Sequence, residues 1–346
     1  MVKQSNYTIG LEISTKGYKL VQRNIEKNEI NLLHAEVFPG SPIEDDSFMA
    51  KSLKEGLKLI RKTIKTRETV FSVPLQAAQI RFMQLDPAMG DLRQQIIWEL
   101  EQQTIGRAVE PVLDWVKVSQ SEIAQSSAEP DTFAEMPSLD EGAEKADGAE
   151  EASAAETASR PYSPATYLSV STDKKLLASW NASIKKGGFD PIVCDVDSLA
   201  LSNLFTVGYP EEQAGSNFVI DVSPERVLIV WMADGRLVDA DCVVSLDWSG
   251  AEAASKSLLK LKQRLKDMTN GHSDTAPAEK FFLSGEIASD TRLRDIVFAE
   301  ADMKGEILDP FRAVAASDDI SSQSALYGPA FAVSVGLTLR GTGEDE

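Results

Sequence analysis

Apolar and polar residues alternate in three short runs at the start of the chain. The runs are YTIGLEIS, YKLVQRN and EINLLHAEVF, and turn residues around Gly17 and Asn28 separate them. A period of two residues is typical of strands on a half-buried sheet. The pattern therefore predicts a three-stranded meander from Tyr7 to Phe38.

The same arrangement returns in the second half of the chain, between Asn217 and Leu246. Its runs are NFVIDVS, RVLIVWM and LVDADCVVSL, and an Asp-Gly pair, which is a frequent hairpin turn, joins the last two. An acidic residue ends the first strand of each meander, Glu12 in one copy and Asp221 in the other. The segment from Asn217 to Leu246 is therefore interpreted as a repeat of the first meander.

A helix and then an apolar strand follow each meander. Apolar residues recur at steps of three and four from Met49 to Ile64 and from Ala254 to Met268. Ser249 and Glu252 have the spacing of a capping box, which predicts where the second helix begins. We infer an internally duplicated β-β-β-α-β unit, and two such units predict two domains on either side of a cleft.

Further helices are predicted between and after these units. One extends from Asp91 to Gln103, and the pattern leaves open whether its Trp98 is exposed or belongs to the core. Thr172 is predicted to cap the next one. Ala288–Phe298 and Tyr327–Leu339 follow as helices, and the small residues along the last favour close packing.

Charge excludes one class of function and sets one segment apart. The formal net charge is −19, which argues against nucleic-acid binding because phosphates attract basic surfaces. Residues 121–164 hold eleven acidic side chains against Lys145 and Arg160, and few large apolar ones. We predict a disordered acidic insertion, with an interaction tail for a basic partner as the open alternative.

The remaining composition excludes several kinds of site. No run approaches the roughly 20 apolar residues of a membrane span, and the N-terminus lacks the pattern of a signal peptide. Cys194 and Cys242 fit a reducing cytoplasm, and His34 and His272 do not suggest a metal centre. The usual phosphate-binding glycine motifs and hydrolase motifs are absent, so no metal site and no catalytic residue is predicted.

Several stretches resemble one known family. They are GLEISTKGYKLVQ, FSVPLQAAQIRFMQLDPAMGDLRQQIIWELEQQT, SVSTDKKLLASWNASIKKGGFDPIVCDVDSLAL, NFVIDVSPERVLIVW, FFLSGEI, ILDPFRA and GPAFAVSVGLTLR. Together they resemble the PilM family of type IV pilus assembly proteins, which has the actin-like ATPase fold and is related to FtsA. The resemblance covers nearly the whole chain except the acidic insertion.

The resemblance implies an α/β actin-like fold of duplicated ribonuclease H-like β-β-β-α-β-α units, with a small inserted subdomain. It places a first half at 1–75, an inserted subdomain at 76–120 that also takes residues 165–190, the acidic insertion at 121–164, and a second half at 191–346. The helix over 327–340 closes the second half.

The resemblance also implies a cleft that binds ATP and Mg²⁺. The residues that it assigns to the cofactor are Glu12, Ser14, Thr15, Lys19, Asp221, Ser223, Ser284, Gly285 and Gly336. Two loops depart from the family pattern, because Ser14 stands where relatives have glycine and Pro224 has no N–H to donate. Glu225 adds negative charge beside the phosphate site. We therefore predict that nucleotide binding is weak or lost, and that hydrolysis is absent. Asp195 and Asp197, the candidate general bases, serve equally well as helix caps.

The implied function is that of a cytoplasmic adaptor at the inner membrane. It would bind the N-terminal tail of a PilN-like membrane protein and meet the motor ATPases and platform proteins of a pilus machine. Arg93, Gln94, Trp98 and Glu101 are the candidate residues for the tail. Two alternatives stay open: a nucleotide-dependent switch or ATPase of the same fold, and a GspL-like scaffold of type II secretion.

Overall fold

The computed structural model describes residues 5–103, 110–118, 165–320 and 327–340. The chain divides into two compact units. The larger unit contains residues 5–80, 110–112, 171–320 and 327–340, and the smaller unit contains residues 81–103, 113–118 and 165–170. The predicted disordered insertion at 121–164 lies outside the described residues.

The first sheet of the larger unit begins with the predicted meander. Its strands are β1 (Tyr7–Ile13), β2 (Gly17–Asn24), β3 (Glu29–Val37), β4 (Glu68–Val73), β8 (Asp190–Val196) and β14 (Ala315–Ala316). They are ordered β14-β3-β2-β1-β4-β8. Strand β1 is antiparallel to β2 and parallel to β4, and β4 is parallel to β8.

The second sheet repeats this plan. Its strands are β9 (Ser216–Val222), β10 (Arg226–Ala233), β11 (Arg236–Val244), β12 (Lys280–Ser284) and β13 (Lys304–Ile307), in the order β11-β10-β9-β12-β13. The strand directions match as well, since β9 is antiparallel to β10 and parallel to β12. Taken in sheet order, strands β3, β2, β1, β4 and β8 of the first sheet correspond to β11, β10, β9, β12 and β13 of the second. This correspondence confirms the predicted duplication.

Alternation along the second sheet separates two apolar cores. Val219 and Leu228 face a core that includes α4 (Asp197–Gly208) and α8 (Ala332–Leu337). Ile220 and Ile229, one residue further along each strand, face a core that includes α5 (Ala251–Gly271). Because helices cover both faces, every residue of β9 and β10 is buried.

The remaining helices of the larger unit are α1 (Met49–Leu59), α3 (Lys174–Gly187), α6 (Glu286–Ser289) and α7 (Thr291–Glu300). The smaller unit holds α2 (Leu92–Gln103) and most of a sheet in the order β5-β7-β6, formed by β5 (Ala78–Leu85), β6 (Pro111–Lys117) and β7 (Ala165–Asp173). Its core is built around Ile96 and Tyr167.

The structure differs from the predicted domain boundaries in one place. Helix α3 was expected in the small subdomain and β8 in the second half, but both lie in the larger unit with the first sheet. Gly187 explains the placement of α3, because a Cβ there would lie 2.7 Å from the Cβ of Leu53 in α1. Such close packing joins the two helices.

Three helix boundaries also differ from prediction, each for a local reason. Helix α5 begins after Gly250, because the backbone N–H of Ser249 donates to Asp247 instead of forming a capping box. Asp173, not Thr172, caps α3. Asp290 caps α7 and thereby divides the helix predicted over 288–298 into α6 and α7.

The predicted last helix is shorter than expected. A turn of 3-10 helix at Gly328–Phe331 precedes α8, where the sequence suggested one continuous helix from residue 327. Pro329 lies within this turn, and a proline disfavours α-helical dihedral angles for the residue before it. Among the described residues, no helix is long and apolar enough to cross a membrane.

Candidate functional site

Two hairpin turns from the repeated units have the same construction. In the β1–β2 turn the N–H of Ser14 donates to the carbonyl oxygen of Gly17 over 2.9 Å, and in the β9–β10 turn the N–H of Ser223 donates to that of Arg226 over 2.9 Å. The Oγ atoms of both serines donate to the same carbonyl oxygens, each over 3.2 Å. These are the two loops that the resemblance assigns to phosphate binding, and each uses its serine to close the turn.

The first turn also uses its serine as an acceptor. Ser14 Oγ accepts from the N–H groups of Lys16 and Gly17, both over 3.2 Å. Thr15 lies within this turn and is half-buried. In the second turn Pro224 has no N–H at all. Neither turn therefore presents the row of free backbone N–H groups with which a glycine-rich loop surrounds a phosphate.

Charged side chains from both halves meet behind these turns. Glu12, Asp221 and Arg226 are almost wholly buried, and Lys19 is 12% exposed. Lys19 Nζ lies 3.5 Å from Glu12 Oε1 and 2.8 Å from Glu286 Oε1. The cation predicted to meet phosphate thus lies between two carboxylates of the protein.

Arg226 provides a second buried cation in the same cluster. Its Nη1 lies 3.0 Å from Asp197 Oδ2, and its Nη2 lies 3.6 Å from Glu12 Oε1. Asp197 also accepts from the backbone N–H groups of Leu75 and Ser198 at 3.0 and 2.8 Å. Asp197 therefore binds both the backbone at the start of α4 and the guanidinium of Arg226. Through Asp197 and Glu12, Arg226 links the start of α4 to the end of β1.

Burial dominates the acid–base behaviour of the carboxyl groups. It raises the pKa of Glu12 to about 7, against the opposing charge of Lys19. Burial also raises the pKa of Asp221 and of Asp197, although Lys19 opposes this at Asp221 and Arg226 opposes it at Asp197. With a pKa of about 7, Glu12 is partly protonated at neutral pH.

The pKa values of the two buried cations, Lys19 and Arg226, are raised by the neighbouring carboxyl groups. Burial alone would lower the pKa of Lys19, but the charges of Glu12, Glu286 and Asp221 raise it overall. Burial likewise opposes the charge of Arg226, and Asp197 and Asp221 are the main groups that raise the pKa of its guanidinium. Both side chains stay positively charged, and each is stabilised by carboxylates of the protein itself.

Three further residues complete the site around these charges. Ser284 Oγ donates to Asp221 Oδ2 over 3.0 Å, and Ser334 Oγ donates to Glu12 Oε2 over 3.1 Å. Gly285 has a φ of +88°, and a Cβ there would lie 2.3 Å from the carbonyl oxygen of Val222. The glycine is needed for this approach of the two backbones.

Gly336, which the resemblance assigns to the cofactor, contacts a neighbouring helix. A Cβ at this position would lie 2.0 Å from the carbonyl oxygen of Ala200 in α4. The residue therefore allows α8 to pack against α4, as its small neighbours in sequence suggested. Asp195, one of the two candidate bases, is paired with Arg340, whose Nε lies 2.8 Å from its Oδ2.

A cleft of about 480 Å³ opens beside the two turns. Its charged lining residues are Glu12, Lys16, Lys19, Glu36, Glu225 and Glu286. Four carboxyl groups thus face two lysines, which opposes the binding of a polyanion. No group of three or more histidine, cysteine or acidic residues within the described ranges could hold a metal ion. The excess of carboxyl groups in this lining disfavours a triphosphate.

The smaller unit carries the residues predicted to bind a partner. Trp98 is 58% exposed, and Gln94 and Glu101 lie one turn before and after it on the same side of α2. Arg93 is exposed on the same helix, further around its surface. Ile96 and Leu100 point into the core of this unit, so the helix is anchored on one side and Trp98 is available on the other.

Sequence reasoning missed four members of the cluster. Arg226, Glu286 and Ser334 were not singled out, and Asp197 was considered only as a base or a helix cap. A signal existed for Arg226, because it occupies the place of Gly17 in the repeated unit, and each ends its turn. A charged residue at the start of an otherwise apolar strand, RVLIVWM, is also unusual.

The sheet order, the strand directions and the paired turns define an actin-like ATPase fold, as the sequence predicted. No protein-family model matches the chain, and no curated protein matches it. Among solved structures, one described as a PilM–PilN type IV pilus biogenesis complex is similar with a TM-score of 0.72 and 19% identity. The likeness covers 97% of this chain and 99% of that one.

Two other solved structures are similar to the chain over most of its length. The ethanolamine utilization protein EutJ from Carboxydothermus hydrogenoformans has a TM-score of 0.51 and 8% identity, over 98% of this chain and 91% of that one. The cytoplasmic domain of EpsL, from the type II secretion system of Vibrio cholerae, has a TM-score of 0.47 and 13% identity, over 92% and 94%. The second likeness is too weak to support an argument.

Proposed function

We propose that this chain is a PilM-like cytoplasmic adaptor of a type IV pilus assembly platform, and that it binds the N-terminal tail of a PilN-like membrane protein. The observation that carries the proposal is the TM-score of 0.72 to the PilM–PilN complex over nearly the full length of both chains. The adaptor would lie at the inner membrane through this partner and contribute to pilus biogenesis and twitching motility.

The cleft supports an adaptor over a nucleotide-driven enzyme. Lys19 and Arg226 are both paired with carboxylates of the protein, so neither is free to balance a triphosphate. The serines of both turns are used to close them. The two halves are therefore joined at the cleft by the ion pairs of the chain itself, and nucleotide binding would be weak or absent.

One alternative has an observation in its favour. Lys19 lines the cleft, and a volume of about 480 Å³ lies within the range of about 300–1,000 Å³ typical of ligand pockets. A nucleotide-dependent switch would need Glu286 to release Lys19 when the phosphates arrive. Titration with Mg-ATP separates this alternative from the adaptor.

The exposed side of α2 is the proposed tail site. Trp98 offers a large apolar surface with an N–H donor, a combination that is frequent at the centre of interfaces. Gln94 and Glu101 flank it with polar groups, and Arg93 lies further around the same helix; these groups can pair with the backbone and the charged groups of an extended peptide. The anchored inner side of the helix holds this surface in place.

A titration with the tail peptide tests the proposal. We expect Trp98→Ala to weaken peptide binding to the full chain by about tenfold or more, because the largest apolar contact is lost. Glu101→Lys should weaken it as well. Met89→Ala is the matched control, since Met89 is 76% exposed in the same unit but precedes the helix. Unchanged binding by both α2 variants would place the tail elsewhere, and absence of binding by the wild type would contradict the adaptor.

A further inference from the structure

A second recess lies on the larger unit, away from the cleft and its charged cluster. It has a volume of about 540 Å³ and is enclosed by α5, β9, β12 and the segment after α7. We call it the α5 groove. Phe281 and Leu261 are among the buried residues that form its floor, and Leu265 and Met303 are half-buried at its sides. Apolar surface therefore continues from the core of the second sheet to the outside.

The outer edge of the α5 groove is apolar as well. Leu259 lies on α5 with 70% of its side chain exposed. A single exposed leucine is ordinary, but one that adjoins a recess of this size extends the apolar surface. The recess falls within the range of about 300–1,000 Å³ found for pockets that take up apolar groups. The α5 groove is thus large enough to receive apolar side chains of a partner.

The charge around the α5 groove is opposite to that of the chain. The formal net charge of the whole chain is −19, yet α5 carries three lysines and an arginine close together in the sequence KLKQRLK. Lys262 and Lys266 line the groove itself, with Asp302 as the acidic lining residue. Lys262 lies 3.3 Å from Asp302, whereas Lys266 forms no ion pair with any residue in the described part of the chain.

These observations together define the chemistry of an occupant. At physiological ionic strength charges act over roughly 8 Å, so Lys262, Lys266 and Asp302 set the local charge of the groove more than the distant acidic residues of the chain do. The lysines attract carboxylates, while the groove between them takes up leucine-sized side chains. The α1 segment is also rich in lysine, so charge alone does not select the α5 groove, and its apolar surface is needed as well.

We propose that the α5 groove is a docking site for an acidic amphipathic helix of a partner protein. The apolar side of that helix would lie over Leu259 and Leu265, with its side chains directed toward Phe281. Its carboxylates would pair with Lys266 and Lys262 at the rim. This is the helix-in-groove mode of recognition, in which residues three and four positions apart supply the anchors. The site is independent of the α2 surface, so an adaptor could hold two partners.

A labelled synthetic peptide tests the proposal on the full chain. The probe is a short helix-forming peptide of glutamate and leucine with leucine along one side, and fluorescence anisotropy measures its binding. One control probe replaces each glutamate with lysine, and a second replaces each leucine with serine. We expect only the acidic amphipathic probe to bind, and its affinity to fall as salt is raised, because ion pairs at the rim contribute.

Variants of the protein locate the site. Leu259→Ser and Lys266→Glu should each weaken the binding of the acidic amphipathic probe by about tenfold. Leu59→Ser and Lys54→Glu on α1 are the matched controls, because Leu59 is 72% exposed and Lys54 is exposed too. Both control variants should bind as the wild type does. All four side chains lie at the surface, so none of the substitutions is expected to unfold the protein.

Three results would overturn the proposal. The first is that the wild type does not bind the acidic probe. The second is that the α1 controls weaken binding as much as the α5 variants do. The third is that sedimentation shows a dimer which Leu259→Ser dissociates, because the α5 groove would then be an interface between two copies of this chain.

Discussion

Arg226 is the residue that distinguishes this cleft most clearly. Its side chain is 1% exposed and pairs with Asp197 over 3.0 Å, in a cluster that also contains Glu12. A buried ion pair adds little net stability compared with an apolar replacement, but removal of one partner leaves an uncompensated charge. The residue therefore links the two halves at the place where a nucleotide would otherwise have to bring them together.

Removal of this cation should reveal the energetic coupling. We expect Arg226→Met to lower the free energy of unfolding by about 3–5 kcal/mol, because Asp197 is left buried and unpaired. Addition of Asp197→Asn should restore part of the loss. Urea denaturation measures both. Arg264→Met is the matched control: Arg264 pairs with Asp241 at the surface, so its loss should change stability by at most about 1 kcal/mol. Equal effects of the two arginine variants would contradict this role.

Glu12 gives the cleft a dependence on pH. Burial raises its pKa from the ordinary value of 4.5 to about 7, so the folded state binds its proton more tightly than the unfolded state does. The free energy of unfolding therefore decreases as the pH rises from the pKa of Glu12 in the unfolded chain to its pKa in the folded protein. Above the folded pKa the loss of stability is complete. One pKa unit corresponds to about 1.4 kcal/mol.

The matched variant Glu12→Gln should lack this dependence. Between about pH 4.5 and about pH 8 we expect the wild type to lose up to about 3 kcal/mol of stability relative to Glu12→Gln. Denaturation of both proteins across this range, at constant ionic strength, supplies the comparison. Parallel curves for the two proteins would show that Glu12 titrates normally in the folded state.

At the scale of secondary-structure elements, the contact of α8 with α4 depends on a glycine. A Cβ at Gly336 would lie 2.0 Å from the carbonyl oxygen of Ala200, and backbone atoms cannot move aside easily. We expect Gly336→Ala to destabilise the fold by roughly 2 kcal/mol or more, as overpacking does. Gly271→Ala is the control, because nothing lies within 4 Å of a Cβ there.

Thermal or chemical denaturation of Gly336→Ala and Gly271→Ala measures whether the contact of α8 with α4 depends on the glycine. Gly271 ends α5, where alanine should leave stability unchanged or raise it slightly, since alanine favours helix. A neutral Gly336→Ala variant would mean that α8 can move away from α4 without cost. In that case the small residues of the last helix would need another explanation.

The meanders were predictable because local chemistry fixes them. Alternation in NFVIDVS and RVLIVWM assigns their residues to two faces, and Asp234 with Gly235 turns the chain with a positive φ at both positions. The repeat then allowed the second sheet to be inferred from the first. Elements whose pattern extends over only a few residues, such as α6 and β14, gave no such signal.

Helix boundaries were less predictable because competing caps lie close together. Ser249 and Asp290 show the two kinds of error. Ser249 has capping-box spacing, but Asp247 accepts its N–H first. Asp290 interrupts an apolar stripe, and its carboxylate accepts from the N–H groups of Arg292 and Leu293 to begin a new helix. Sequence spacing alone does not show which side chain accepts the first backbone N–H groups of a helix.

On the scale of the whole molecule, the fold was predictable from the resemblance, but the composition of the cleft was not. Glu12, Lys19 and Asp221 were expected together because the resemblance assigns all three to the cofactor. Arg226 and Glu286 come from opposite parts of the second half and meet the first half only through tertiary structure. Such pairs depend on three-dimensional placement, which no local pattern encodes.

Calorimetry of the full chain with Mg-ATP, in the presence and absence of the tail peptide of a PilN-like protein, tests the adaptor most directly. We predict that the peptide binds with the same affinity in both conditions, and that Mg-ATP gives no saturable heat in the low micromolar range, because Lys19 and Arg226 are already paired with carboxylates. Low micromolar binding of Mg-ATP that changes the affinity for the peptide would contradict the account and establish a nucleotide-dependent switch.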